Sequence, residues 1–248
     1  MIEELRNCQK DGPFRGEECS VCGSRGRLLM KGGEIEGVGR ILAGMLRHFP
    51  ENYGVRMDDH GWVKIYSVAT VIRAQKKSFW WLTPFHIEAL VRTDPKERYQ
   101  INDKEEIRAT YGHTIPVNLD DLPADDIPEV LYYQTTDEEL EFIRETGISP
   151  SDKSWVHLSL TPRQAYISGL FHIEAPAVVP VDTKSMIKSG INVYRATSDV
   201  FLVDNIPPEF VGEKIAETFE PTPEEAKELS HVRERQERKR QTRSDMEP

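Results

Sequence analysis

The chain has 248 residues, 38% hydrophobic and 30% charged, which is room for two domains and argues against a wholly disordered chain. No run approaches the roughly 18 apolar residues of a membrane-spanning helix, so a membrane protein is not expected. The net charge of -10 speaks against a nucleic-acid binder only on average: residues 36–96 carry nine Lys and Arg against six Asp and Glu, and residues 97–150 four against fourteen. Residues 222–243 return to seven against five, so local basic regions are available to an anionic partner. Met1-Ile2-Glu3-Glu4-Leu5-Arg6 lacks the apolar stretch of a secretory signal. The three cysteines, an odd number, argue against a disulfide scaffold, and a cytoplasmic protein is expected.

Composition divides the chain into a Cys-bearing segment at 1–33, a lobe at 34–118 and an acidic linker at 119–126 broken by Pro123. A second lobe follows at 127–215, and a charged tail, helical or disordered, at 216–248. In the first lobe Ile35, Val38, Ile41, Leu42, Met45 and Leu46 recur at helical spacing until Pro50. Gly61–Ile65 reads as a short strand, and Val68, Val71 and Ile72 as a second helix. Thr83 and Pro84 cap a third helix carrying Ile87, Leu90 and Val91. Tyr99 and Ile101, a turn at Asn102-Asp103, then Ile107, Ala109 and Tyr111 predict a hairpin. Helices followed by a hairpin suggest a winged helix.

The second lobe changes rhythm. Strand-like runs at 130–133, 155–159, 177–181, 192–194 and 200–203 alternate with helical patterns at 137–146, 162–170 and 183–189. The expectation is a small α+β sandwich.

Several residues carry chemistry. Cys8 and the Cys19-x-x-Cys22 pair suggest a zinc knuckle; zinc takes four ligands, only three thiols are present, and Asp11 is the nearest oxygen donor. A metal-free knuckle is the other reading. Arg47-His48 at a helix end either caps the helix or grips a phosphate, the guanidinium fork meeting two oxygens. Arg108 and His113 on the hairpin are either a solvated wing or part of the same grip. His157 and Ser159 share one face of a strand.

The order of these strings is what distinguishes them. Leu46-Arg47-His48, Asp58-Asp59-His60-Gly61-Trp62-Val63 and Ile107-Arg108-Ala109-Thr110-Tyr111-Gly112-His113-Thr114 resemble the RNA 2′-phosphotransferase family. So do Leu131-Tyr132-Tyr133-Gln134-Thr135, Val156-His157-Leu158-Ser159, Tyr194-Arg195-Ala196, Val200-Phe201-Leu202 and Ile206-Pro207-Pro208, the whole covering roughly residues 35–212. The resemblance implies an α+β protein: an N-terminal winged-helix lobe, a C-terminal ADP-ribosyltransferase-like β-sandwich lobe, and NAD in a cleft. It implies removal of an internal 2′-phosphate from RNA of the tRNA splice-junction type, through a 2′-phospho-ADP-ribosylated RNA intermediate. Nicotinamide and ADP-ribose 1″,2″-cyclic phosphate are released. Carried over residue by residue, the catalytic set is Arg47, His48, Arg108 and Lys153, with Arg47, Arg108, His113 and Lys153 on the phosphate. Tyr132, Thr135, His157, Leu158 and Ser159 fall at the NAD site.

The sequence departs from the family pattern at several points. A family arginine is Lys153, which keeps charge and loses the fork. A family histidine is Trp155; the family Tyr-His-Gly-Thr is Tyr132-Tyr133-Gln134-Thr135; and a Ser-x-Asn is Ala196-Thr197-Ser198. These changes leave open ADP-ribosylation of a terminal nucleic-acid phosphate, which would omit the second step, and a non-enzymatic nucleic-acid binder.

Overall fold

In the computed structural model, which describes residues 3–244, the chain divides into two units. One comprises the chain up to Asp121 together with Ser151–Ser154; the other comprises Leu122–Pro150 and the chain from Trp155 onward. Helices and antiparallel sheets occur in both, an α+β arrangement. No helix among the described residues is long and apolar enough to cross a membrane.

The first unit opens with three strands in the order β2-β1-β3: β1 (Leu5–Cys8), β2 (Gly12–Arg15) and β3 (Arg27–Met30). Leu5 and Met30 are fully buried in the same apolar cluster as the helices that follow, so the Cys-bearing segment is built into this unit. Helix α1 (Gly32–Ala43) buries Ile35, Val38 and Leu42, one face of a 3.6-residue period, and Glu34 accepts the Lys31 amide at 2.8 Å at its start.

The single helix expected up to Pro50 ends sooner. At Gly44–His48 it relaxes into a π-helical turn closed by Phe49 N donating to Gly44 O at 2.8 Å, and Pro50 starts a short 3-10 turn. Tyr53 lies against Gly44, where a Cβ would stand 2.8 Å from its hydroxyl, so a larger residue there would push the tyrosine ring aside.

The expected strand at Gly61–Ile65 shrinks to β4 (Val63–Lys64), because the amide of Ile65 already belongs to helix α2 (Ile65–Gln75) and donates to Glu105 O at 3.0 Å. Helix α3 (Pro84–Arg92) starts at the predicted Thr83-Pro84 pair. The hairpin is present as β5 (Tyr99–Ile101) and β6 (Glu106–Ala109), with sheet order β4-β6-β5. Its turn forms because Asn102 Oδ1 accepts the amides of Lys104 and Glu106 at 2.9 and 3.0 Å.

The second unit realises all five strand-like runs in one sheet of order β10-β11-β8-β7-β9, antiparallel throughout. They are β7 (Leu131–Thr135), β8 (Val156–Ser159), β9 (Ala177–Val181), β10 (Val193–Arg195) and β11 (Val200–Val203). Among the described residues this unit holds a single sheet rather than the two facing sheets of a sandwich. Leu131, Val156, Leu158, Val181, Phe201 and Val203 turn one side of it into the core, joined by Ile143 of α4 (Leu140–Thr146) and Met186 of α6 (Thr183–Lys188). Helix α5 (Pro162–Gly169) packs on β7 with Gly169 tight against Pro176 and Gln134.

Pro180 sits in β9 without disrupting the ladder because β9 is an edge strand, and Gly212 and Ile215 amides cover that edge by bonding Pro180 O and Val178 O. The charged tail forms helix α7 (Pro223–Ser244), anchored by buried Leu229 and by Glu225, which Arg163 grips with two bonds of 3.0 and 2.6 Å. That guanidinium holds the Glu225 carboxyl down at about 2.

Candidate active site

The π-helical turn delivers Arg47 and His48 to one edge of the first unit. Arg47 lies over the rings of Tyr99, 5.6 Å away, and Tyr111, 4.9 Å away, and its Nη2 donates to Arg98 O at 3.3 Å. The carbonyl is fixed because Arg98 is clamped by Asp94, a fork of two 2.8 Å bonds on a fully buried carboxylate. Gly112 closes over the guanidinium with φ +81°; a Cβ there would sit 3.2 Å from Arg47 Nη1. With these contacts made, Arg47 Nε is still a buried donor without a partner among the described residues.

His48 is half-buried, and its Nδ1 lies 3.1 Å from the Thr114 hydroxyl. The same hydroxyl lies 3.3 Å from Arg47 O, so Thr114 ties the His48 ring to the backbone of the π turn. Burial, and then the charge of Arg47, lowers the His48 pKa and favours the neutral ring.

His113 is the most exceptional group of the unit. It is 2% exposed, and both ring nitrogens are buried with no partner among the described residues. Burial, reinforced by the charges of Arg47, Arg108 and His48, drives its pKa down to about 4. An unpaired imidazole enclosed by cationic groups is complementary to an anion that accepts its N–H.

Arg108 is buried rather than on a solvated wing, and it is already engaged. Its Nη1 bonds both carboxylate oxygens of Asp121 at 2.8 and 2.9 Å, its Nε bonds Gln100 at 3.0 Å, and it stacks on Trp62 at 4.4 Å. The residue read as part of an acidic linker is therefore the counter-ion of a predicted site residue.

Lys153 comes from the far side of α4 in sequence, yet its segment belongs to the first unit. The neighbouring Ser154 accounts for this: its amide donates to His113 O at 2.9 Å and its hydroxyl to Ile115 O at 2.6 Å. All five residues predicted for catalysis and phosphate binding thus fall in one unit.

The five residues predicted for NAD all fall in the other, and they divide between the faces of the sheet. Tyr132 and Ser159 are register partners, and with His157 they are half-buried on the side opposite the core. His157 is oriented by Trp155 O, 2.9 Å from its Nδ1, and Trp155 stacks edge-on against Tyr194 with centroids 5.8 Å apart. Leu158 instead points into the core at 1% exposure, so only its main chain is available to a ligand. Thr135, three residues from Tyr132, is buried and gives its hydroxyl proton to Glu139 at 2.7 Å.

The three cysteines do converge, on the hairpin between β1 and β2. Cys8, Cys19 and Cys22 Sγ and an Asp11 carboxylate oxygen lie within 4.8 Å of one another.

Tyr99, Tyr111, Thr114 and Asp121 were not singled out from sequence. Tyr111 and Thr114 lie inside the quoted string, but what they touch depends on the packing of the hairpin against the π turn. The fold and this constellation define a class: an α+β protein that gathers Arg47, His48, Arg108 and His113 in one unit, with buried Arg and His nitrogens that no described residue bonds. Residues 34–205 match the model of the family described as RNA 2′-phosphotransferase, Tpt1 / KptA family. The chain is similar to a probable RNA 2′-phosphotransferase of Thermoplasma acidophilum, 48% identical over 94% of this chain and 97% of that one. It is likewise similar to one of Thermoplasma volcanium, 46% identical over 94% and 98% of the two chains. A third relative, probable RNA 2′-phosphotransferase 1 of Archaeoglobus fulgidus, is 36% identical over 86% and 96%. The chain belongs to the RNA 2′-phosphotransferase family.

Proposed function

We propose that the protein removes an internal 2′-phosphate from RNA, of the kind left at a tRNA splice junction, with NAD as co-substrate. Family membership supports the reaction class. The observation that carries the site is His113, buried and unpartnered beside Arg47, Arg108 and His48. We read the first unit as a winged-helix lobe, supported by three helices followed by the β5–β6 hairpin, and the second as ADP-ribosyltransferase-like, supported by its antiparallel sheet with His157 and Ser159 on the central strand.

When bound, NAD supplies a ribose carbon at which the RNA phosphate displaces nicotinamide, and a neighbouring hydroxyl that then takes the phosphorus, giving ADP-ribose 1″,2″-cyclic phosphate and 2′-hydroxyl RNA. The side chains of the protein have the matching tasks. Arg47, held from behind by two tyrosines and a carbonyl, offers Nε to a phosphate oxygen. His113 donates its N–H to another. Such preorganised donors stabilise charge on the phosphoryl oxygens without reorganising during the reaction. His48, held toward its neutral form, accepts the hydroxyl proton in the second step. Lys153 adds a point charge in place of a fork. The phenol, imidazole and hydroxyl of Tyr132, His157 and Ser159 suit the polar groups of a dinucleotide, and Leu158 contributes through its backbone.

The test is a reaction on RNA bearing one internal 2′-phosphate, with and without NAD, the products resolved by mass. Nicotinamide release equal to phosphate lost is expected. RNA that keeps its phosphate and gains ADP-ribose would place the failure in the second step; unchanged RNA would contradict the reading.

A further inference from the structure

The N-terminal segment lies outside the residues matched to the family, 34–205, and its chemistry is not used by the reaction above. Two stretches there share a pattern: Cys8-Gln9-Lys10-Asp11-Gly12 and Cys19-Ser20-Val21-Cys22-Gly23. Each is a Cys, two residues, a metal-competent side chain and a glycine. Both glycines take positive φ, +86° at Gly12 and +70° at Gly23, which lets each stretch turn back on itself. In each, an amide two residues after a cysteine bonds its sulfur: Lys10 N to Cys8 Sγ at 3.4 Å, and the Ser24 amide to Cys22.

We propose that Cys8, Asp11, Cys19 and Cys22 form a closed, four-coordinate zinc site in which Asp11 stands where a fourth thiolate would. The spacing suits the ion. Zn–S bonds of about 2.3 Å in a tetrahedron put sulfurs about 3.8 Å apart, and a carboxylate oxygen about 3.6 Å from a sulfur. Here Cys8 and Cys22 Sγ are 3.4 Å apart, and Asp11 Oδ2 is 3.2 Å from Cys8 Sγ and 3.3 Å from Cys19 Sγ. Each member supplies one ligand atom, so the coordination shell is complete and leaves no open position. Amide bonds to the sulfurs steady the thiolates in the outer shell. The site is structural: it pins the β1–β2 turn to the loop before β3, and that sheet enters the core of the unit through Leu5 and Met30. Arg15 Nε, bonded to Thr93 Oγ1 at 2.9 Å, ties the same sheet to the end of α3.

The experiment measures bound metal in the full chain purified under reducing conditions, then zinc affinity by chelator competition in the wild type, Asp11→Ala, Asp11→Cys and Cys19→Ser. A single zinc ion per chain is expected. Asp11→Ala should weaken it by more than the roughly 10- to 100-fold that loss of an outer-shell partner costs. Asp11→Cys should hold it at least as tightly as the wild type, which separates loss of a ligand from loss of fold. Stripping the metal should lower Tm, with zinc restoring it. The proposal is overturned by zinc no higher than in Cys19→Ser, by affinity unchanged in Asp11→Ala, or by a Cys8–Cys22 disulfide in the freshly isolated protein.

Discussion

Gly112 and Arg47 are fitted to each other: the glycine turns at φ +81°, and its Cα hydrogen faces a guanidinium that a methyl group would touch at 3.2 Å. Strain and close approach point the same way. Gly112→Ala should cost about 1–2 kcal/mol from backbone conformation alone, read as a Tm lower by about 2–8 °C. The methyl also displaces Arg47, so single-turnover phosphate removal should slow by more than the stability loss explains. A variant with normal rate would show that Arg47 need not hold this position.

Arg108 and Asp121 make a pair in which the arginine is buried and the carboxylate partly exposed. Asp121→Asn removes the counter-ion from a buried cation and should lower Tm. An external anion then has a site to fill. Added inorganic phosphate should restore more of the Tm of Asp121→Asn than it adds to the wild type. Equal shifts in both proteins would mean that Arg108 does not meet the anion.

His113 gives stability a definite pH dependence. Its folded pKa, about 4, lies below the ordinary value of 6.5, so between these limits the unfolded chain binds the extra proton. Its contribution is therefore complete above about pH 6.5 and lost progressively as pH falls toward 4. His113→Gln should flatten the pH dependence of Tm in that window. The same logic makes phosphate stabilise the wild type more at pH 5.5 than at pH 7.5, because an anion returns the proton to the ring.

The two sides of the second unit's sheet should respond differently. Leu158→Ala empties a core position and should cost about 2–5 kcal/mol in chemical denaturation, with little change in KM for NAD. His157→Ala and Ser159→Ala should leave stability nearly unchanged and raise that KM. The opposite pattern would place the dinucleotide elsewhere.

Much of this was legible in the sequence where periodicity is strong. Five strands of the second unit and helices α2 and α3 of the first announce themselves through alternation or 3.6-residue spacing, and Thr83-Pro84 marks a helix start. The strands Leu5–Cys8, Gly12–Arg15 and Arg27–Met30 carry no such signal: they are four residues long, contain Arg, Asn, Gly and Pro, and are held by pairing and by the core. The π turn carries no periodicity signal: Met45 and Leu46 continue the apolar pattern of α1, and the contact of Gly44 with Tyr53 is tertiary. Arg47, His48, Arg108 and His113 were found through their order in the chain, whereas Asp121 as the partner of Arg108 and Ser154 as the tether of Lys153 are long-range pairings.

Lys153 offers a gain-of-function test. Lys153→Arg restores a planar fork, and should speed phosphate removal several-fold, whereas Lys153→Ala should slow it. No change in either would remove Lys153 from the phosphate site.

The most direct measurement is single-turnover clearance of an internal 2′-phosphate from RNA by the wild type and by Arg47→Ala, each with saturating NAD and without it. The wild type should clear the phosphate only when NAD is present, and Arg47→Ala should be slower by about a hundredfold or more, the usual cost of removing one preorganised donor to developing charge. Phosphate that survives the wild type with NAD, or a variant as fast as its parent, would contradict the account.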